Sequence, residues 1–354
     1  MTQRPLIYDF DQQELSAFLK EMEQPAYRSG QIWQGLYQQL LVDPGQFSTL
    51  PGQLRENLAL HLDFNGLTPV RTIKSTDGET IKSLFKLRDG AMIEAVLMTY
   101  KERRTVCIST QVGCAVGCVF CATGQMKFTR HLTSGEIILQ VLYYARMLQA
   151  YGDALTNVVI MGMGEPFYNY DATLKAVDIL NDPKGFNFGA RRFTISTVGI
   201  VPMIEQFAHE NRQVNLAVSL HAAEDDLRSK LIPINRKYPL FQLIQACREY
   251  IGLTHRRITF EWALIDGVND SPQDAARLAA LLRGMLCHVN VIPLNPTHKY
   301  PGQPSQRERV DAFVAELGKA GIPTTVRTRR GVDIHAGCGQ LATQEKSINT
   351  GSDQ

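Results

Sequence analysis

The chain has 354 residues, 44% hydrophobic and 20% charged, an ordinary globular balance that excludes a fibrous or wholly disordered protein. A net charge of +2 is too weak to imply a polyanionic partner from totals alone, and no apolar run approaches the roughly 20 residues of a membrane span, so a cytoplasmic setting is the expectation. Seven cysteines without a secretion signal, three of them crowded into residues 114–121, point to metal or redox chemistry rather than a disulfide framework.

From residue 11 to about 63 apolar residues recur at helical spacing, as in Leu15, Phe18 and Leu19 and then Ile32, Leu36 and Tyr37, with Pro25 and Pro44 as breaks. This predicts a small helical accessory domain over 1–63, either a packing module or a substrate-binding one. Between 64 and 100 the period changes to strand-like runs, and Asp77-Gly78 is a hairpin signal. A short β linker is expected there.

The domain over 101–342 alternates strand-like and helical patterns. Strands are predicted at 106–109, 158–161, 193–197, 216–219, 258–264 and 289–294, and helices at 134–149, 172–180, 202–208, 241–250, 272–286 and 307–319. The polar tail over 343–354 is expected to be disordered. Repeated βα units require parallel pairing with right-handed crossovers, and six are fewer than the eight of a closed barrel. The expectation is α/β: a partial (β/α)6 barrel or a doubly wound sheet, with chemistry at the C-terminal strand ends.

The strongest local signal is Gly113-Cys114-Ala115-Val116-Gly117-Cys118-Val119-Phe120-Cys121, three soft ligands in one loop after the first barrel strand. Structural zinc takes four protein ligands, and apart from His131 nothing nearby completes such a set. An iron-sulfur cubane held by three thiolates leaves one iron open to a small molecule. The CxxxCxxC spacing and its βα context resemble the radical SAM superfamily. The resemblance implies a radical SAM barrel, a 4Fe-4S cluster on Cys114, Cys118 and Cys121, and S-adenosylmethionine cleaved to a hydrogen-abstracting radical.

Gly162-Met163-Gly164-Glu165-Pro166 after the second strand is by itself a tight turn, and resembles the superfamily's glycine-rich segment. Ser196, Ser219-Leu220-His221 and Asn295 follow later strands. Each alone is an ordinary turn or cap residue; together with Gly164 and Glu165 they are candidates for binding S-adenosylmethionine.

Two cysteines outside the loop narrow the resemblance. Cys338 lies between glycines in Ala336-Gly337-Cys338-Gly339-Gln340, and Cys107 on the first barrel strand reads alone as a small buried hydrophobe. With Tyr27-Arg28-Ser29-Gly30-Gln31-Ile32-Trp33, Gln111-Val112-Gly113-Cys114 and Ser134-Gly135-Glu136-Ile137, nearly the whole chain resembles the RlmN/Cfr family of RNA adenosine methyltransferases. That resemblance implies Cys338 as an S-methylcysteine intermediate and Cys107 as the thiol that resolves it through a transient disulfide. It also implies Glu94, the one acid in the run Ala91 to Met98, as proton acceptor. Gly337 departs from the family pattern, in which alanine usually precedes the methylated cysteine.

The implied reaction is methylation of adenosine carbon 2 in 23S rRNA and tRNA with two S-adenosylmethionines per turnover and an electron donor such as flavodoxin. A Cfr-like reaction at carbon 8 uses the same constellation, and a non-catalytic iron-sulfur RNA-binding protein would not need Cys107, Cys338 and Glu94 together. A monomer is favoured. Lys101-Arg103-Arg104, Arg191-Arg192, Arg256-Arg257 and Arg327-Arg329-Arg330 suggest a basic rim for phosphates near the strand ends.

Overall fold

The computed structural model describes residues 4–343, so the predicted disordered tail lies, from residue 344 on, outside the described residues. The N-terminal segment forms α1 (Gln12–Glu21), α2 (Tyr27–Tyr37) and α3 (Gly52–His61). Asp11 caps α1 by accepting from the N–H groups of Gln13 and Glu14, while Glu14 accepts from Asp11 N–H. Leu15, Leu19, Ile32, Trp33 and Leu36 fill its interior. Trp33 Nε1 donates to Asp182 Oδ2 at 2.8 Å, and Gly135 N–H donates to Asp9 Oδ1 at 2.7 Å. These bonds dock the helices against the outside of the barrel.

The antiparallel meander β1 (Leu67–Lys74), β2 (Thr80–Leu87) and β3 (Met92–Thr99) turns at Gly78, whose φ of 72° suits a residue without Cβ. It continues into the larger sheet, because β3 pairs antiparallel with β4 (Arg104–Cys107). A two-residue ribbon, β5 (Gln111–Val112) with β6 (Arg130–His131), closes the base of the cysteine loop.

Thereafter come α4 (Ser134–Gln149), β7 (Asn157–Ile160), α5 (Tyr170–Asn181), β8 (Phe193–Thr197), α6 (Val201–His209) and β9 (Asn215–Ser219). They are followed by α7 (Asp225–Leu231), α8 (Leu240–Thr254), β10 (Ile258–Leu264), α9 (Pro272–Leu281), β11 (Cys287–Pro293), α10 (Arg307–Lys319) and β12 (Thr324–Val326). The sheet order is β1-β2-β3-β4-β7-β8-β9-β10-β11-β12, parallel from β4 onward. This is the expected partial arc of six parallel βα strands, extended by the short β12.

Neither β12 nor α7 was foreseen. Three residues are too few to show a period of two, and Asp225-Asp226-Leu227-Arg228-Ser229-Lys230-Leu231 is mostly polar. Helix α9 ends at Leu281 rather than near 286, and the chain turns with Gly284 at φ 75°.

The two ends of the sheet are joined by a strap, residues 327–342, that leaves β12 and runs along the meander. Arg330 pairs with Glu79, and Thr76 N–H donates to Asp333 Oδ2 at 2.8 Å. Lys82 Nζ donates to the His335 carbonyl at 3.1 Å, and Ala342 N–H to Glu94 Oε2 at 2.9 Å. The strap carries Cys338.

Candidate active site

The cysteine loop leaves the C-terminal end of β4 and is shaped by glycine. Gly113 sits at φ 76°, and a Cβ there would come within 2.2 Å of the Lys127 carbonyl oxygen. Cys114, Cys118 and Cys121 line one concavity of about 960 Å³, together with Gly164, Glu165, Ser196, Ser219, His221, Asn295 and Cys338.

The donor set fits a cluster. Burial pushes the Cys114 thiol up to about 12 and raises Cys118 and Cys121 as well, and neighbouring thiols add to the shift at each. Thiols so held become ligands when a metal takes the place of the proton. Among the described residues no three His, Cys, Asp or Glu side chains converge on a single ion. A cubane needs no such convergence, since each thiolate holds its own iron. Asn295 Oδ1, buried without a hydrogen-bond partner, leaves an acceptor for a bound ligand.

Gly164, at φ 104°, lies where a Cβ would meet Gln111 at 2.5 Å. Glu165 is buried; its carboxylate accepts from Phe167 N–H at 2.9 Å and Val198 N–H at 2.8 Å, while its own N–H donates to Gln111 Oε1 at 2.8 Å. Burial outweighs these bonds and pushes its carboxyl up to about 7. Glu165 thus ties the glycine turn to the loop after β8. Ser196 Oγ and Ser219 Oγ lie 3.5 Å apart.

His221, at φ 58°, accepts from Ala263 N–H at Nδ1 over 2.8 Å, which leaves the proton on Nε2. Burial, reinforced by the positive charge of Arg228, pushes its pKa down to about 3, so the ring is neutral. Leu220 is the exception among these candidates. Its side chain is fully buried outside the concavity, and its backbone bonds to Glu261 O and Arg228 Nε.

A second concavity of about 740 Å³ adjoins the first, lined by Cys107, Tyr100, Met161, Arg327 and Cys338. Cys338, exposed, lines both. Arg327 Nη1 donates toward Cys338 Sγ at 3.7 Å. The nearby Cys338, and to a lesser degree Glu261, push the Arg327 pKa above its usual range. Cys107 is buried, and its thiol is pushed up to about 12 by burial first and Cys338 second, against the opposing charge of Arg327.

Glu94 lines neither concavity. Its Oε1 lies 3.2 Å from Lys82 Nζ, and its Oε2 accepts from Ala342 N–H under the strap. Burial raises its carboxyl, and Lys82 opposes the rise.

Three further side chains stand beside the candidates. Glu261 lines the larger concavity and accepts from Asn290 Nδ2 at 3.0 Å. Its signal was present, an acid inside the apolar run 258–264, the same feature that singled out Glu94. Arg228, fully buried, donates to the carbonyls of Val198 at 2.7 Å and Leu220 at 3.0 Å and to Asn235 Oδ1 at 2.8 Å. Nothing in the unrecognised α7 marked it, and nothing marked Lys82.

The basic rim does not form as anticipated. Among the strands of the parallel arc only β12 is followed at its C-terminal end by one of these clusters, Arg327-Arg329-Arg330; the clusters at 191–192 and 256–257 precede β8 and β10, and Lys101-Arg103-Arg104 lies in the turn from β3 into the start of β4, so these three lie toward the opposite ends of the arc. No helix among the described residues is long and apolar enough to cross a membrane.

Residues 108–279 match the radical SAM superfamily, and residues 7–63 match the ribosomal RNA large subunit methyltransferase N-terminal domain. The Myxococcus xanthus protein named dual-specificity RNA methyltransferase RlmN 1 is 50% identical over 341 residues, 96% of this chain and 95% of the relative. A Chloroflexus aurantiacus protein, named a probable dual-specificity RNA methyltransferase RlmN, is 48% identical over 97% of this chain and 93% of its own length. The crystal structure of a radical SAM methyltransferase from Sphaerobacter thermophilus superposes with a TM-score of 0.94 at 55% identity, covering 96% of this chain and all of that one. A cysteine loop at the C-terminal end of a parallel arc, a strap bearing one more thiol, and relatives of this closeness over nearly full length together mean that the chain belongs to the RlmN family of radical RNA methyltransferases, which use a 4Fe-4S cluster and S-adenosylmethionine.

Proposed function

We propose that this enzyme methylates carbon 2 of adenosine in 23S rRNA, at the peptidyl transferase centre, and in tRNA, 3′ of the anticodon. Cys338 carries the one-carbon unit, Cys107 resolves it and Glu94 accepts the proton. The observation that supports the reading most directly is that Cys338 lines both concavities, facing the cysteine loop in one and Cys107 in the other. A carrier thiol must serve two places.

Cys114, Cys118 and Cys121 would hold the cluster, which together with S-adenosylmethionine would supply a methyl group and a hydrogen-abstracting radical. The remaining chemistry falls to the chain. The Gly164-Glu165 backbone lets a ligand approach closely, and Ser196, Ser219, neutral His221 through Nε2–H, and Asn295 through Oδ1 offer hydrogen bonds to it. Leu220 contributes through its backbone and by holding its neighbours in place.

Cys338 Sγ takes up a methyl group as its thiol proton leaves. That methyl later gives up a hydrogen atom and its carbon bonds to the adenine. Glu94 accepts the proton from carbon 2, a step that requires Ala342 N–H to release Oε2. Cys107 then attacks Cys338 Sγ, so that an S–S bond forms as the S–C bond to the product breaks; the freed methylene takes up the proton that Cys107 loses, the adduct's unpaired electron would return to the one-electron carrier, and an external two-electron reductant restores both thiols. A one-electron protein donor such as flavodoxin, a cytoplasmic setting and a monomeric enzyme complete the reading.

The test is anaerobic reconstitution with iron and sulfide, turnover on unmodified 23S rRNA and tRNA, and mass spectrometry of the nucleosides. 2-Methyladenosine in both RNAs is the expected product. 8-Methyladenosine, or methylation of neither RNA, overturns the reading.

A further inference from the structure

We propose that the N-terminal ends of the barrel strands carry a second RNA site, a cradle for a backbone phosphate built from Arg191, Arg256 and Arg257. This rests on the proposed action on RNA and adds a contact at the opposite strand ends from the candidate site.

A concavity of about 780 Å³ on this face is lined by Thr194, Asn215, His255, Arg256, Arg257 and Thr259, with no acidic side chain among them. Beside it, two guanidinium groups converge on one neutral oxygen. Arg191 reaches Gln213 Oε1 through Nε at 3.3 Å and Nη2 at 3.2 Å, and Arg256 Nη1 reaches the same atom at 3.0 Å. Arg256 is fixed further by Nη2 donating to Asn215 Oδ1 at 2.9 Å, while Asn215 Nδ2 donates to the Arg191 carbonyl at 2.7 Å. Like charges held this closely repel unless an anion lies between them.

Among the described residues no carboxylate forms an ion pair with Arg191, Arg192, Arg256 or Arg257, whereas Arg212 nearby in the chain pairs with both Asp178 and Glu210. The cradle's charge is therefore left for an external partner. Arg256 is held in place by Gln213 and Asn215, and forked guanidinium nitrogens suit a phosphate. Thr194 and Thr259 bring hydroxyl groups to the same hollow.

The hollow lies on the first residues of β8 and β10, whereas Ser196 and the candidate site lie at the other end of the same strands. Thr194 and Ser196 are two residues apart and Asn215 and Ser219 four, so the two hollows are separated by about 7–13 Å of strand. A phosphate contact fixes position and carries no sequence information, which suits an enzyme proposed to act on two different RNAs.

The test compares the reconstituted holoenzyme with the Arg191→Gln/Arg257→Gln double variant, which leaves Arg256 and its bonds in place, using an unmodified fluorescent tRNA transcript from 50 to 300 mM salt. The expected result is roughly tenfold weaker binding at 100 mM salt and a log–log salt slope reduced by about 1 to 2. S-Adenosylmethionine binding and kcat at saturating RNA should be unchanged. A single Arg257→Gln variant with wild-type Tm guards against misfolding and should show part of the loss.

Unchanged affinity and slope in both variants would overturn the second site. So would competition by inorganic phosphate at the cradle with RNA binding intact, since the anion would then not be RNA. The failure of the activity reading is distinct: wild-type enzyme would make no methyladenosine, whatever the cradle does.

Discussion

The carboxylate of Glu94 is shared by two elements, with Lys82 Nζ 3.2 Å from Oε1 and the N–H of Ala342 2.9 Å from Oε2. One side belongs to the rigid meander and the other to the strap that carries Cys338. If Glu94 receives a proton from the adenine, the strap has to let go first. Charge on Glu94, strap position and access of the base are therefore coupled.

Replacing Lys82 with Met tests that coupling. A buried acid that loses its cation costs about 3–5 kcal/mol, which a denaturant titration reads as a lowered midpoint. Burial raises the Glu94 carboxyl and Lys82 restrains the rise, so its removal moves the carboxyl further upward. A base must be ionised to act. The acid limb of the pH–rate profile should then shift toward higher pH in Lys82→Met and return in Lys82→Arg. An unmoved limb with unchanged stability would remove Lys82 and Glu94 from the mechanism.

Cys107 gives a second prediction. Its thiol, pushed up to about 12 chiefly by burial, is protonated at rest and shielded from oxidants, whereas Cys338 is exposed. Alkylation at pH 8 in the reconstituted enzyme should label Cys338 well before Cys107. In Cys107→Ala the bond between Cys338 and the methylated adenine has no resolving thiol, and a covalent RNA–protein adduct should accumulate on denaturing gels. Free methylated RNA released at the wild-type rate would end the assignment.

Gly337 gives the departure from the family pattern a physical meaning. A Cβ at this position would lie 2.6 Å from Asn295 Nδ2 and 2.8 Å from Gln340 Oε1. Asn295 Nδ2 already holds the Cys338 carbonyl at 3.1 Å. Gly337→Ala should push Asn295 off the strap and disturb its place in the larger concavity. We expect the Kd for S-adenosylmethionine to rise by about tenfold, or 1.4 kcal/mol, by calorimetry. Unaltered affinity would mean that Asn295 does not touch the cofactor.

Much of the arc was legible because its strands are apolar runs with one period and its helices begin with ordinary signals. Ser271 caps α9 with Pro272 in the first turn, and Thr133 with Glu136 forms a capping box at α4. The cysteine loop was equally plain, since its ligands are neighbours in sequence. Less visible were relationships made by long-range closure. Lys82 meets the strap across 253 residues and Ala342 meets Glu94 across 248, and no local spacing records such pairings. The basic clusters misled for a related reason: a pair of arginines beside a strand does not say at which end of the barrel it lies until the strand's exact bounds are known.

His221 supports a prediction about stability. The folded protein keeps the ring neutral, with its pKa down to about 3, while the unfolded chain takes up a proton near 6.5. Because the unfolded state binds more protons below 6.5, this histidine's contribution is full above that pH and is lost progressively as pH falls toward 3. The limiting slope is about 1.4 kcal/mol per pH unit for one proton, and about 1 kcal/mol between pH 6 and 5. His221→Asn keeps a residue tolerant of the left-handed φ of 58° and retains an oxygen to accept from Ala263 N–H. His131 and His288 are also shifted downward by burial and remain in the variant, so subtraction isolates His221. Urea titrations at pH 7, 6 and 5 should show a smaller loss of stability on acidification in His221→Asn, by about 1 kcal/mol over the last unit. Parallel curves for the two proteins would mean that the ring is protonated in the fold and that Nδ1 does not accept from Ala263, which would remove Nε2–H from its proposed place facing the ligand.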